Sequence, residues 1–314
     1  IEACVSRRSV LMPPPPSVRV PVVSVYVSTL DGVIAAVEGG CTRVCYEPAF
    51  AGEKTGGAAP LGDAGEWLAR ALIAAASVCR DAQVSLVWKW PHITRSSWLK
   101  TALSLLPVVR AHIDGVMVEG PGAMQAVREY DPGLPLYGAS GLNIFNAGAV
   151  EALGPSFAAL TLSPEMTLGQ VRECIGISAA QNTAPLCQPE YLVHGPAELA
   201  VSEDCIFATA TSCPGRKRCR RHEGYAGIRD PKGHVFPVTT DGECRTHIWN
   251  SRETCLIDSL PELIAAGVTG FSLDCRIKPP AYTRTVTAAY AEAVERVAGA
   301  GETDGAEIRS FLGK

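Results

Sequence analysis

Five cysteines crowd into one stretch of this chain, Cys205, Cys213, Cys219, Cys244 and Cys255, with Cys275 a little beyond. Seven, five and 24 residues separate the first four, and ten more separate Cys244 from Cys255. Thiolates this dense, with Pro214 and Gly215 turning the chain between two of them, suit a tetrahedral four-sulfur site for zinc or for an iron-sulfur cluster. The paired CxxC knuckles of a zinc ribbon are absent, so spacing leaves the metal open. The bland alternative, buried or incidental thiols, fits Cys4, Cys41, Cys45, Cys79, Cys174 and Cys187 better, because they lie in apolar or helical contexts where a free thiol acts as a small hydrophobe. Disulfide staples are not needed: a chain of 314 residues, 47% of them hydrophobic, can build its own core. Arg216-Lys217-Arg218-Cys219-Arg220-Arg221 concentrates positive charge around one cysteine in a chain of net charge −4. Such charge lowers thiol pKa values, favours the reduced state of a negatively charged cluster and attracts RNA phosphate or a carboxylate; a solvated basic loop would look the same.

The elements that must position these groups repeat regularly. Short β-rich apolar runs at 22–27, 44–46, 84–88, 115–118, 136–138, 159–162, 190–193 and 270–274 alternate with helical stretches at 31–38, 66–80, 122–130, 167–174 and 283–298. Eight such repeats predict an α/β fold, a TIM-like (β/α)8 barrel spanning 21–300. The interval 195–267 is far too long for a β/α loop, so it is a cysteine-rich insertion between strands seven and eight, set above the C-terminal face where barrel enzymes keep their chemistry. Residues 1–20, with the stiff Pro13–Pro16 segment, are expected to be a linker or the remnant of a preceding domain, and 301–314 a C-terminal tail.

Glu47, His92, Glu119, Asn143, Asn146, Glu165, His194, Asp274 and Arg276 all fall at or just past expected strand ends. Of these, Arg276, Asp274, His194 and His92 are the catalytic candidates, and Arg276 could clamp a carboxylate bidentately. His222, His234 and His247 are expected to be ordinary loop histidines. A cysteine nucleophile at Cys255 or Cys275 near His194 is a further reading, without an orienting third group in the sequence. No apolar run is long enough to span a bilayer, and the pI near 5.9 excludes a globally basic surface, so a cytoplasmic enzyme without membrane contact is expected.

Several segments resemble the U32 peptidase family: 200–205, Cys213-Pro-Gly, Cys219-Arg-Arg-His222, 225–233, 236–238, the run from Cys244 to Ser251, 271–276, Val193-His194-Gly195, and 35–40. The resemblance implies an oxygen-sensitive protein with a 4Fe-4S cluster that hydroxylates RNA, as tRNA or rRNA, or a quinone, without oxygen, in some relatives with prephenate as the small anionic oxygen donor. It further implies ligands at Cys205, Cys213, Cys219 and Cys244, or in another branch a last ligand at a position like Cys255, and an electron-donor protein as partner. Two other readings stand beside it. One is the collagenase-like peptidase of the family name, for which the chain has neither a His-Glu-x-x-His zinc helix nor a nucleophile elbow. The other is a zinc-stabilised RNA-binding accessory domain.

Overall fold

The computed structural model describes residues 21–48, 64–180, 187–210 and 226–299. The 1–20 segment, the 301–314 tail, Cys213, Cys219, His222 and the basic run 216–221 lie outside the described residues.

Eight parallel strands close into a barrel. They are β1 (Val22–Val27), β2 (Arg43–Tyr46), β3 (Ser85–Lys89), β4 (Gly115–Val118), β5 (Leu136–Gly138), β6 (Ala159–Thr161), β7 (Gln188–Ser202) and, after three further strands, β11 (Gly270–Asp274). β11 closes the ring by pairing in parallel with both β1 and β7, Phe271 lying beside Val23 on one side and Tyr191 on the other. Helices α1 (Leu30–Glu38), α2 (Ala64–Asp81), α3 (Ser96–Val109), α4 (Pro121–Tyr130), α5 (Ala147–Leu153), α6 (Leu168–Ala180), α7 (Ile206–Ala210), α8 (Leu260–Ala265) and α9 (Pro280–Gly299) follow the strands. The chain therefore has the expected (β/α)8 fold.

Side chains alternate across each strand, and this period sets what fills the barrel. Val23, Val25 and Val27 of β1 join the large apolar layer beneath the helices, while Tyr26 joins Cys45, Val87, Met117, Tyr137 and Ala159 in a separate inner cluster. The same inner face carries a buried polar group. Arg43 ion-pairs with Glu190, donates to Ser24 at 3.2 Å and stacks over the Tyr137 ring at 4.5 Å. Gly270 is where Glu190 passes, and any larger residue there would collide with that side chain. One alternation higher along the same strands come Lys89 on β3 and Asp274 on β11, with Glu119 just past β4, so the mouth of the barrel is built from the strand period itself.

Two differences from the expectation matter for the site. Strand seven does not stop at residue 193 but runs on to Ser202, rising out of the barrel. There it forms an antiparallel ladder with β10 (Thr246–Cys255), which pairs in turn with β9 (Val235–Thr240) and β9 with β8 (Ala226–Arg229). Helix α3 also lies where no element is expected, carrying Pro107 internally and lacking a side-chain cap at Arg95. Its Trp98 packs edge-on to Trp90, with ring centroids 5.0 Å apart.

Candidate functional site

The barrel mouth gathers charges from five segments. Lys89, buried at the end of β3, reaches Glu47 at 2.9 Å and Glu119 at 2.7 Å. Arg276, just past β11, gives Nη1 to Glu47 at 3.0 Å, Nη2 to Asp274 at 2.7 Å and to Glu198 at 3.3 Å, and Nε to Asp274 at 3.0 Å. Its guanidinium lies 4.7 Å over the Trp249 ring. Burial alone would discharge such cations; the surrounding carboxylates outweigh it and hold the pKa of both Lys89 and Arg276 above the ordinary value. Burial likewise opposes charge on Glu119 and Glu198. Lys89 for the first, and Arg276 with His247 for the second, reverse that and hold both below the usual carboxylate range.

His92 stands exposed at the rim, with Nδ1 4.0 Å from a carboxylate oxygen of Glu119 and 4.0 Å from one of Glu198. A cavity of about 50 Å³ opens between these groups, with Tyr26 and Ser140 also in its wall. The arrangement can orient a small polar group between an imidazole and two carboxylates. Arg276 has every donor group engaged by an internal carboxylate, so a carboxylate ligand could be clamped there only by displacing Glu47, Glu198 or Asp274.

Sequence reasoning placed Glu47, His92, Glu119, Asp274 and Arg276 at strand ends, and the structure brings all five together. Asn143 and Asn146 serve the backbone instead: Asn143 takes a left-handed conformation at φ 50°, and Asn146 caps α5 by accepting from the Ala149 amide at 2.9 Å. Glu165 is exposed. His234 is the expected loop histidine, bonded to Asp230 at 2.9 Å. His247 is not one. It sits buried on β10, with Nδ1 2.5 Å from Glu198 and Nε2 3.5 Å from Asp241. Burial resists its protonation, but the Asp241 and Glu198 carboxylates prevail and raise its pKa to about 9. Lys89 and Glu198 were missed from the sequence. The available signal was a lysine inside the apolar run Val87-Trp88-Lys89-Trp90, which can be buried only with a counter-charge.

The cysteines divide between the two ends of β10. At the outer end Thr246 pairs with Ser202. Its hydroxyl donates to the Asp204 carbonyl at 2.6 Å and accepts from the Ile206 amide at 2.9 Å, so it grips both neighbours of Cys205. Two residues before Thr246 stands Cys244, in a left-handed turn at φ 63° and bonded through its amide to Asp241. Arg245 links to Glu203 at 3.1 Å and closes the same end. Cys205 and Cys244 are both free and half-buried there.

At the inner end Cys255 pairs with His194. From Ser202 to His194 at roughly 3.3 Å per residue is about 26 Å, far beyond the few ångströms that separate thiolates on one metal centre. Exposed Cys255 instead meets the Tyr290 hydroxyl at 3.8 Å. His194 Nε2 lies 2.7 Å from the Tyr282 hydroxyl, which donates to Glu253, and Glu253 also pairs with Lys278. Burial lowers the pKa of His194 below its ordinary value. His194 therefore belongs to a cluster separate from the mouth network. Cys275 is buried, its thiol pushed up to about 12 chiefly by burial. Among the described residues no three His, Cys, Asp or Glu side chains converge as metal ligands, and no helix is long and apolar enough to cross a membrane.

Comparison with known proteins supplies the remaining context. A curated relative, the tRNA hydroxylation protein P2 of Bacillus subtilis (strain 168), is 25% identical over 193 residues, covering 60% of this chain and 60% of that protein. A collagenase of Porphyromonas gingivalis (strain ATCC BAA-308 / W83) is 24% identical over 234 residues, 70% of this chain and 54% of that protein. The chain thus spans little more than half the length of either. Among solved structures, a U32 peptidase aligns over 86% of this chain and 98% of its own, at 14% identity and a TM-score of 0.44. A thiamine phosphate pyrophosphorylase from Pyrococcus furiosus aligns over 88% and 96%, at 13% identity and a TM-score of 0.48. The model of peptidase family U32 matches residues 68–311, most of the barrel and all of the cysteine-bearing ladder, and the chain belongs to that family.

Proposed function

We propose that this chain is an oxygen-independent hydroxylase acting on RNA, with a 4Fe-4S cluster held by Cys205, Cys213, Cys219 and Cys244. The observation that carries the reading is the grip of Thr246 on both neighbours of Cys205, which sets Cys205 and Cys244 at one end of the β7–β10 ladder. Cys213 and Cys219 follow α7 within the next fourteen residues of Cys205. Free, half-buried thiols are the donor chemistry such a cluster takes, and zinc is the alternative occupant. Pairing with His194 at the far end of the ladder is the reason Cys255 is left out of the proposed set. The cluster would supply one-electron chemistry; the chain's own residues supply a polar mouth in which His92 faces Glu119 and Glu198. The basic run 216–221 suits an RNA backbone, and the tRNA hydroxylation relative points the same way.

The test is anaerobic purification with iron, acid-labile sulfide and zinc measured on the unaltered chain, on Cys244→Ala and on Cys255→Ala. The reading expects iron and sulfide in the unaltered chain, their loss from Cys244→Ala and their retention in Cys255→Ala. Zinc without sulfide would favour the accessory RNA-binding domain. A metal-free chain that cleaves collagen would favour the activity of the other curated relative.

A further inference from the structure

The inner end of β10 carries a second chemistry, independent of the four-cysteine proposal. Cys255 and His194 are direct partners in an antiparallel ladder, so their side chains leave the same face of the sheet, with Cβ atoms about 5 Å apart. Tyr290 touches both, its ring 5.3 Å from the imidazole and its hydroxyl 3.8 Å from the Cys255 sulfur. Cys255 is exposed, whereas His194 is only 8% exposed.

The proton positions on the imidazole follow from its neighbours. Glu253 receives a hydrogen bond from the Tyr282 hydroxyl and an ion pair from Lys278, so it is a carboxylate and can only accept. Tyr282 has one proton, and it points at Glu253. The Tyr282 oxygen, 2.7 Å from His194 Nε2, must therefore accept from the ring, which fixes the proton on Nε2. Burial keeps the ring neutral. Nδ1 is left as a bare lone pair, buried, with no hydrogen-bond partner among the described residues. The Cys255 sulfur meets Tyr290 rather than Nδ1 at rest, but a fixed tautomer and an unused base on the face that carries an accessible thiol are the parts of a base-assisted cysteine.

We infer that Cys255 and His194 form a thiol–imidazole pair that reacts with low-molecular-weight disulfides, making Cys255 a site of reversible S-thiolation. In the reaction the thiol proton passes to His194 Nδ1, and the thiolate attacks one sulfur of the disulfide. A new sulfur–sulfur bond forms as the old one breaks, and the departing thiolate takes the proton from the imidazolium. Cys255 is oxidised and the small disulfide is reduced. The other groups facing the pair are Glu253 on the same strand, Asp258 just beyond it, Lys278 and Cys275 after β11, and Tyr282 and Tyr290 on α9. Glu253 favours the imidazolium that forms in the reaction, and Lys278 opposes it, so the ring returns its proton readily.

The experiment measures the rate of iodoacetamide labelling at Cys255 across pH 5–10, by peptide mass spectrometry, on the anaerobically purified full chain and on His194→Gln. Glutathione disulfide is then added as the small disulfide. The pair predicts labelling of the unaltered chain at pH 7 roughly tenfold faster than of His194→Gln, and one glutathione adduct that a reductant removes. Because adduct formation on the unaltered chain decides by itself, a variant that fails to fold does not rescue the idea. Equal labelling rates in the two proteins, or no adduct on the unaltered chain, overturns it. So does release of iron on labelling of Cys255, which would put that thiol among the cluster ligands and sink the four-cysteine assignment too. Absence of any iron would defeat only the latter.

Discussion

The barrel mouth and the outer end of the β7–β10 ladder both bring cationic and acidic side chains together, but they are built in opposite ways. The mouth takes Glu47, Lys89, Glu119, Glu198, Asp274 and Arg276 from segments spread over 230 residues of chain, and the Lys89 ammonium is enclosed by protein. The outer end takes Glu203, Cys205, Asp241, Cys244 and Arg245 from two neighbouring segments, and its acids and thiols are half-exposed or more. The difference shows how each can fail. A buried charge network assembled by the whole barrel stands or falls with the fold, whereas a two-segment turn held by a few bonds can open alone.

The largest effect that tests this contrast is Lys89→Met. It leaves Glu47 and Glu119 without their shared ammonium in the barrel mouth, an uncompensated buried charge that costs about 3–5 kcal/mol. Urea unfolding followed by circular dichroism should show the whole barrel losing that much, with no separate transition for the ladder. A Lys89→Met protein as stable as the unaltered chain would mean that the network is not a structural keystone.

How much of this could be read from the amino-acid sequence follows the same divide. Strands buried on both faces appear as short apolar runs, so β1, β4, β5 and β11 lie within a residue of their expected places. The strand ends then follow, and with them Glu47, His92, Glu119, Asp274 and Arg276. Beyond the barrel the pattern weakens. β7 continues through Gly195 and Pro196, which look like a stop but are tolerated because Gly195 takes φ +112° where the strand presses on the Asp274 backbone. Glu198 was lost with that extension, and His247 was taken for a loop residue because its partners are 49 residues back along the chain and six before it. Pro107 disguised α3 in the same manner, through a breaker whose cost local packing absorbs.

His247 joins the two regions, and its protonation offers the next largest effect. Its folded pKa is raised from 6.5 to about 9, so the stability it contributes is fully present below pH 6.5 and is lost as the pH climbs through 9. Up to about 3 kcal/mol is at stake over that window. Chemical denaturation at pH 6, 7.5 and 9 should show the decline, and His247→Gln should remove it. A slope that survives the substitution would locate the titrating group elsewhere and leave the ladder uncoupled from the mouth.

The smallest effect is the most local. Thr246→Val keeps the shape of the side chain but removes the donor to the Asp204 carbonyl and the acceptor for the Ile206 amide. Two half-buried backbone groups lose their partner, a cost of about 1–2 kcal/mol. If the outer end opens as a unit of its own, that cost appears there and not in the barrel. Amide hydrogen exchange at Ile206 should quicken roughly tenfold while exchange in β1 and β11 stays unchanged. The two thiols it positions, Cys205 and Cys244, should become faster to alkylate in the metal-free chain. Equal acceleration in β1 would show that the turn and the barrel open together, erasing the distinction between a mouth held by the fold and a cysteine turn held by a few local bonds.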